Sequence, residues 1–258
     1  MGHPSLDLTS KTAVVIGGTS GIGLALANGL AQAGANVVPT GRRGDLARSA
    51  AEQIKTLGRK SLAIAADVTD RASLEALLAA TCAELGGVDI LVNSAGITRR
   101  TPTLEVSESE WNGILETNLT GTLRSCQIFG RKMIEQKHGR IINIASLAAE
   151  RALFEVAAYC ASKAAVASLT KTLAVEWARY GVCVNAIAPG VFRTDLNKAL
   201  LDGTPRGQEF LLRTPMRRFG NVEELVGAAV FLASDAASFV TGHLLAVDGG
   251  FLASGVNQ

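Results

Sequence analysis

TAVVIGGTSGIGLALANGLAQAG, residues 12–34, decides how this chain folds. Its first five residues are mostly small or β-branched and read as a short buried strand. Gly17, Gly21 and Gly23 follow in the spacing G-x-x-x-G-x-G, and an alanine- and leucine-rich run then reads as a helix ended by Gly34. Glycine lets the backbone turn sharply and approach a pyrophosphate, which then sits on the N–H groups of the helix start. Any tight turn can use glycine, so the cluster takes its meaning from its place between strand and helix. Strand, glycine turn and helix in this order open a dinucleotide-binding βαβ unit.

Outward from this opening the alternation continues. Asn36–Thr40, Ser61–Ala65, Asp89–Val92, the run GRIINIA at 139–145, Val182–Ile187 and His243–Val247 all read as short strands. Helical patterns separate them: one to about Leu57, one from Asp70 to about Leu85 stopped by Gly86-Gly87, one from Val156, and one from about Val222 to Leu232. Ser107 with Glu110 resembles a capping box and starts another, which carries Trp111 and Asn118. The pattern predicts an α/β fold, a doubly wound parallel sheet of about seven strands with helices on both faces. No linker or repeat interrupts it, so residues 1–258 are expected to form a single domain.

Composition narrows the function classes. Nearly half of the 258 residues (48%) are hydrophobic and the mean hydropathy is +0.25, enough for a large core. A formal charge of +2 is too small to argue for nucleic acid or an anionic membrane surface. Cys82, Cys126, Cys160 and Cys183 are scattered without a C-x-x-C pair, which points to free thiols in a reducing compartment. His3, His138 and His243 are equally dispersed, so no metal site is expected. The apolar stretches are too short to span a bilayer, and MGHPSLDL is not a signal peptide, so the expected location is the cytoplasm.

The chemistry is concentrated in SLAAERALFEVAAYCASK, residues 146–163. Ser146 closes an apolar run, and Tyr159 and Lys163 stand one helical turn apart on the same face. Such a pair is also an ordinary neighbour pair on an amphipathic helix. An ammonium near a phenol favours the phenolate, however, which suits a general acid–base. On the nucleotide side, the acidic residue usual about twenty positions past the glycines is absent. Gly41 stands there, followed by Arg42-Arg43, whose guanidinium forks suit a ribose 2′-phosphate and favour NADP over NAD. Asp67-Val68 and Asn93 lie at strand carboxyl ends, where open α/β sheets bind ligands.

Taken together, GGTSGIG, NSAG at 93–96, Asn118, Ser146, Tyr159-x-x-x-Lys163 and PGVFRT at 189–194 resemble the short-chain dehydrogenase/reductase family over almost the whole chain. Ile16 and Ser94 depart from the Thr and Asn that many members carry. The resemblance implies a Rossmann-type domain, a nicotinamide cofactor and a homotetramer. It implies that Tyr159 exchanges a proton with the substrate oxygen, that Lys163 lowers its pKa and holds ribose hydroxyls, and that Ser146 hydrogen-bonds the substrate. Asn118 would position a water linking Lys163 to solvent. Cofactor contacts are implied for Gly17, Thr19, Ser20, Gly21, Ile22 and Gly23, for Arg42, Arg43, Asp67 and Val68, and for Asn93, Ala95 and Gly96. Pro189, Gly190, Val191 and Thr194 complete that set with Tyr159 and Lys163.

The substrate implied is a small hydroxy or keto compound. Residues 191–219, broken by Gly203, Pro205, Gly207 and Pro215, form the expected lid, with Leu196, Leu200, Leu201, Phe210 and Leu211 as its apolar face. RTP at 100–102 and again at 213–215, EELVGA at 223–228 and FLASDAASFVTGH before VDGG look most like gluconate 5-dehydrogenases, which interconvert a sugar acid and its keto form. Arg100 could meet the substrate carboxylate, and Phe192, Ser146 and Tyr159 would line the same site. A 3-oxoacyl-thioester reductase and a sugar 1-dehydrogenase share these motifs. A non-catalytic nucleotide-binding regulator is the alternative from another class, against which the intact Asn118–Ser146–Tyr159–Lys163 set argues.

Overall fold

The computed structural model describes residues 3–194 and 197–255, with the side chain of residue 200 left out. Of the expected lid positions, Leu196 and the Leu200 side chain therefore lie outside the described residues. In chain order the elements are β1 (Thr12–Ile16), α1 (Gly21–Gln32), β2 (Asn36–Thr40), α2 (Gly44–Thr56), α3 (Arg71–Leu85), β3 (Ile90–Asn93), α4 (Glu108–Leu115) and α5 (Gly121–Glu135). After them come β4 (Gly139–Ile144), α6 (Ala157–Trp177), β5 (Val182–Pro189), α7 (Lys198–Leu201), α8 (Pro205–Arg213), α9 (Val226–Ala233) and β6 (Leu244–Val247).

All six strands run parallel in the order β2-β1-β3-β4-β5-β6. Alternate side chains leave on opposite faces, so each strand feeds two cores. Ala13, Val15, Ile90 and Val92 pack with Leu26 and Leu30 of α1 and Leu232 of α9 on one face. Val14, Ile16 and Leu91 pack with Leu77 of α3, Phe129 of α5 and Leu173 of α6 on the other. Fully burying each of these side chains contributes roughly 1.5–3 kcal/mol. The chain winds from β1 out to β2 and then crosses to β3, so the strand order reverses between β1 and β3. A crevice opens there at the strand carboxyl ends.

The expected third strand, Ser61–Ala65, does not form. The segment runs beside β2, tied to its backbone by Val37 N–H to Lys60 O (3.1 Å) and Ala66 N–H to Gly41 O (3.1 Å), and between these by the Thr40 hydroxyl to Ile64 O (2.6 Å). β2 is the sheet edge, and the residue that should donate toward the middle of this segment is Pro39, which has no N–H. The sheet therefore has six strands, against the seven expected.

Helix ends follow the sequence signals closely. Asp70 caps α3 by accepting from Ala72 N–H at 3.0 Å, and Gly86 ends it in the left-handed region at φ 87°. Ser107 caps α4 through Glu110 N–H at 3.2 Å, but the Glu110 carboxylate turns to Arg99 at 3.3 Å, so only half of the capping box forms. Between α4 and α5 the helix widens into one π-turn, Glu116–Thr120. The lid comprises α7 and α8 with their flanking turns. Arg193 and Asp202 pair at 2.5 Å across its base, and a Cβ at Gly207 would lie 1.8 Å from Leu201 O. No helix among the described residues is long and apolar enough to cross a membrane.

Candidate active site

The glycine turn fits only glycine. A Cβ at Gly23 would lie 2.1 Å from Gly17 O, and one at Gly17, where φ is +78°, would lie 2.6 Å from Ala95 N. Gly17 thus packs its backbone directly on the turn after β3, which gives Ala95 a packing role through its backbone. Gly18, absent from the expected set, is equally constrained, since its Cβ would lie 2.6 Å from Val15 O. Across from the start of α1 stands Thr194, whose Cγ2 would be 3.7 Å from a Cβ at Gly21. Its N–H is held by Asn197 Oδ1 at 2.8 Å.

At the end of β2, a Cβ at Gly41 would lie 2.9 Å from Thr19 Oγ1. Any side chain there would press on Thr19 in the glycine turn. Arg42 and Arg43 next to it are exposed, and among the described residues neither has a carboxylate partner. Asp67 Oδ1 accepts from Thr69 N–H and Oγ1, both at 2.9 Å, while Oδ2 has no hydrogen-bond partner among the described residues. Val68 is buried against Gly121, and its carbonyl accepts from Arg124.

Asn93 needs a correction. Its side chain is buried and committed inward, accepting from Ser125 Oγ at 2.6 Å and donating to Asn143 Oδ1 at 2.9 Å. Asn143 donates on to Thr170 Oγ1 at 2.9 Å, so the network pins β3 and β4 to α5 and α6. Only the backbone of Asn93 is left for a ligand. Phe192 needs one as well: it is buried in the main core, and a Cβ at Gly220 would lie 2.4 Å from its ring. It supports the lid base and does not line a substrate site. Pro189 and Gly190 end β5, with Gly190 N–H on Val247 O at 2.9 Å, and Val191 O accepts from Gly220 N–H at 3.0 Å.

Asn118, Ser146, Tyr159 and Lys163 converge. A Cβ at Gly96 would lie 3.5 Å from both Asn118 Oδ1 and Lys163 Nζ. Lys163 is buried, donates to Ile144 O at 2.8 Å, and holds its Nζ 5.6 Å from the centre of the Tyr159 ring. Burial pulls the Lys163 ammonium down to about 8. Burial also pushes the Tyr159 phenol above its ordinary value, and a hydrogen bond with Ser146 draws part of that back. Ser146 Oγ additionally accepts from Ala148 N–H at 3.1 Å, which fixes its direction.

Asn118 sits in the π-turn, and its amide is fully engaged. Oδ1 accepts from Ile97 N–H at 2.8 Å, while Nδ2 donates to Ile97 O at 2.9 Å and Ser162 Oγ at 3.0 Å. The side-chain amide thus clamps the turn after β3 to the first turns of α6. Ser162, missed in the sequence, completes the clamp by donating to Tyr159 O at 2.7 Å. No sequence signal marks a π-turn, so this geometry was out of reach.

Arg100 lies at the mouth, with Nε on Glu155 Oε2 at 2.6 Å. Glu155 and the lid residue Arg206 were also missed, while Arg151 in the same stretch is exposed and donates to Glu150 O. Glu155 has a left-handed backbone, φ +61°, at which a non-glycine residue gives no sequence warning.

Comparison with known proteins finds relatives along nearly the whole chain. A family model described as enoyl-(acyl carrier protein) reductase matches residues 17–252. The gluconate 5-dehydrogenase of Gluconobacter oxydans is 42% identical over 255 residues, 98% of this chain and 100% of its own. The D-threitol dehydrogenase of Mycolicibacterium smegmatis is 43% identical over 244 residues, 95% of this chain and 94% of its own. The crystal structure of a gluconate 5-dehydrogenase from Burkholderia cenocepacia, in complex with NADP and tartrate, superposes with a TM-score of 0.93 at 41% identity, covering 97% of this chain and 98% of that one. From the glycine turn to the Tyr159–Lys163 pair and along nearly its whole length, this chain belongs to the short-chain dehydrogenase/reductase family.

Proposed function

We propose that the protein is an NADP-dependent oxidoreductase that interconverts a secondary alcohol and a ketone on a sugar acid, as its gluconate 5-dehydrogenase relatives are named to do. The observation that carries the reaction is the convergence of Tyr159, Ser146 and Lys163 beside Gly96. The glycine cradle fits a pyrophosphate, and the unpaired Arg42-Arg43 fit a 2′-phosphate, so the residues present suit NADP better than NAD. When bound, the nicotinamide supplies or accepts the hydride.

In this reading Thr19, Ser20, Ile22 and the glycines hold the pyrophosphate, Asp67 and Val68 border the adenine, and Gly190, Val191 and Thr194 border the nicotinamide end. Tyr159 gives its phenolic proton to the substrate oxygen in reduction and takes it back in oxidation. Ser146 donates to the same oxygen as charge develops on it. Lys163 acts on Tyr159 through space, and its cation stabilises the phenolate that remains after proton transfer. Asn118 and Ser162 keep the pair in register.

Residues 1–258 work here as one Rossmann-type domain, with 191–219 as the lid. The sugar-acid reading is supported by the relatives' names and by the tartrate, a hydroxy acid, in the Burkholderia complex. The four free thiols support a cytoplasmic setting. A homotetramer is what the family resemblance implies; the hollow of about 850 Å³ between α3, α5 and α6, where Leu78, Ile128, Ile134 and Trp177 lie among the charged Arg71, Glu75, Arg131 and Glu135, offers a mixed surface for such a contact. Sedimentation measures that assembly; a monomer at micromolar concentration would refute it. For the activity, a panel of sugar acids, neutral polyols and 3-oxoacyl thioesters is assayed with NADPH and NADH and their oxidised forms. Turnover of thioesters alone would replace this reading with the acyl-reductase one.

A further inference from the structure

Three charged side chains from three segments meet where the lid reaches the mouth of the site. Arg100 follows β3, Glu155 precedes α6, and Arg206 stands in the first turn of α8. Arg100 donates to Glu155 at 2.6 Å, and its guanidinium lies 5.9 Å from the centre of the Phe154 ring. Arg206 donates through Nη1 to Phe154 O at 3.2 Å and stands 5.4 Å from the centre of the Phe210 ring. Burial, followed by the Arg100 charge, pulls Arg206 below the usual guanidinium range; Glu155, Glu209 and the Cys160 thiol oppose that shift. Cys160 adjoins Tyr159, so the cluster lies at the first turn of the helix that carries the acid–base pair.

The charges do not balance. Glu155 is bonded to Arg100, and Glu209 pairs with Arg213 on its own helix at 3.0 Å. Arg206 is left facing a neutral carbonyl, with most of its five donors unfilled, in a half-buried position where a positive charge gains most from an arriving anion. Glu155 is also held in place: its carbonyl accepts Thr101 N–H at 2.8 Å, and these contacts hold it in a left-handed backbone that non-glycine residues seldom adopt.

We infer that Arg206 selects sugar acids over neutral polyols, its guanidinium taking the substrate carboxylate while Glu155 holds Arg100 in position beside it. The inference rests on the sugar-acid reading of the function. It moves carboxylate recognition from Arg100, whose charge Glu155 already balances, to the lid. A carboxylate on Arg206 also ties α8 to the mouth, so the group that marks the substrate is the one that closes the lid.

The test is steady-state kinetics of the full chain with NADPH, comparing a keto-aldonate with an uncharged ketose of equal chain length. Arg206→Gln is expected to lower the kcat/KM ratio of acid over ketose by about tenfold to a hundredfold, mainly through KM for the acid. Arg206→Lys keeps the charge without the fork and retains part of the preference. An unchanged ratio, or an equal loss on both substrates, overturns the assignment while the wild-type preference for acid leaves the sugar-acid reading standing. A wild-type chain that reduces only the ketose overturns both.

Discussion

Lys163 holds its ammonium 5.6 Å from the centre of the Tyr159 ring. Within the chain the lysine is anchored elsewhere, on the carbonyl of Ile144, and the phenol's hydrogen-bond partner is Ser146. The phenol's shift comes from burial, the Ser146 hydrogen bond and the neighbouring Cys160 thiol, and the lysine charge adds nothing resolvable to it. The sequence spacing anticipates a lowered phenol pKa, whereas the protein alone shows the opposite balance, with burial pushing the phenol up. A phenol kept protonated is the form needed to donate in reduction.

Removing the phenol oxygen isolates that role. Tyr159→Phe keeps the ring and its packing, so NADPH affinity, measured by fluorescence titration, should stay close to wild type. Turnover should fall by about a hundredfold to ten-thousandfold. Substantial residual turnover would mean that another group donates the proton.

The buried lysine has a thermodynamic signature. Its folded pKa, about 8, lies below the ordinary value of 10.5. Between those pH values the unfolded chain binds the extra proton, so stability rises with pH across that window. Urea unfolding at steps from pH 7 to 10 should show this rise in wild type. Lys163→Met, which keeps the length of the side chain without the charge, should lose it. Parallel curves for the two proteins would refute the depressed pKa.

Legibility followed the range of the interactions. Local signals placed nearly every element: the glycines of the first turn, the Asp70 cap and the Gly86 stop needed no partner to be read. Ser61–Ala65 failed because strand formation depends on its neighbour, and Pro39 in β2 withholds the donor. At the site, Tyr159 and Lys163 were legible from helical spacing. Ser162, Glu155 and Arg206 were not, since each acts across a contact between distant segments. Asn93 and Phe192 stand beside the crevice in sequence, yet their side chains turn inward, and one register step decides such a question.

The glycine turn offers a test that does not depend on the chemistry. A Cβ at Gly23 would lie 2.1 Å from the backbone oxygen of Gly17, so Gly23→Ala must displace the turn. The expected cost is about 1–3 kcal/mol of stability, together with loss of NADPH binding in calorimetry. Unchanged affinity would show that the cofactor does not rely on this turn.

Arg42 is the sharper probe of which cofactor binds. It is exposed, unpaired among the described residues and next to Gly41, where the sequence carries no acidic side chain. Its removal should leave the fold unaltered and take away one charge-assisted contact with a 2′-phosphate. Arg42→Ala is expected to raise KM for NADPH by about tenfold and to change KM for NADH little, since NADH lacks that phosphate. Equal effects on both cofactors would make Arg42 a bystander and leave Arg43 as the remaining side chain at the end of β2 able to read the phosphate. The double variant then decides the matter: a chain without either arginine that still prefers NADPH would place 2′-phosphate recognition outside this turn.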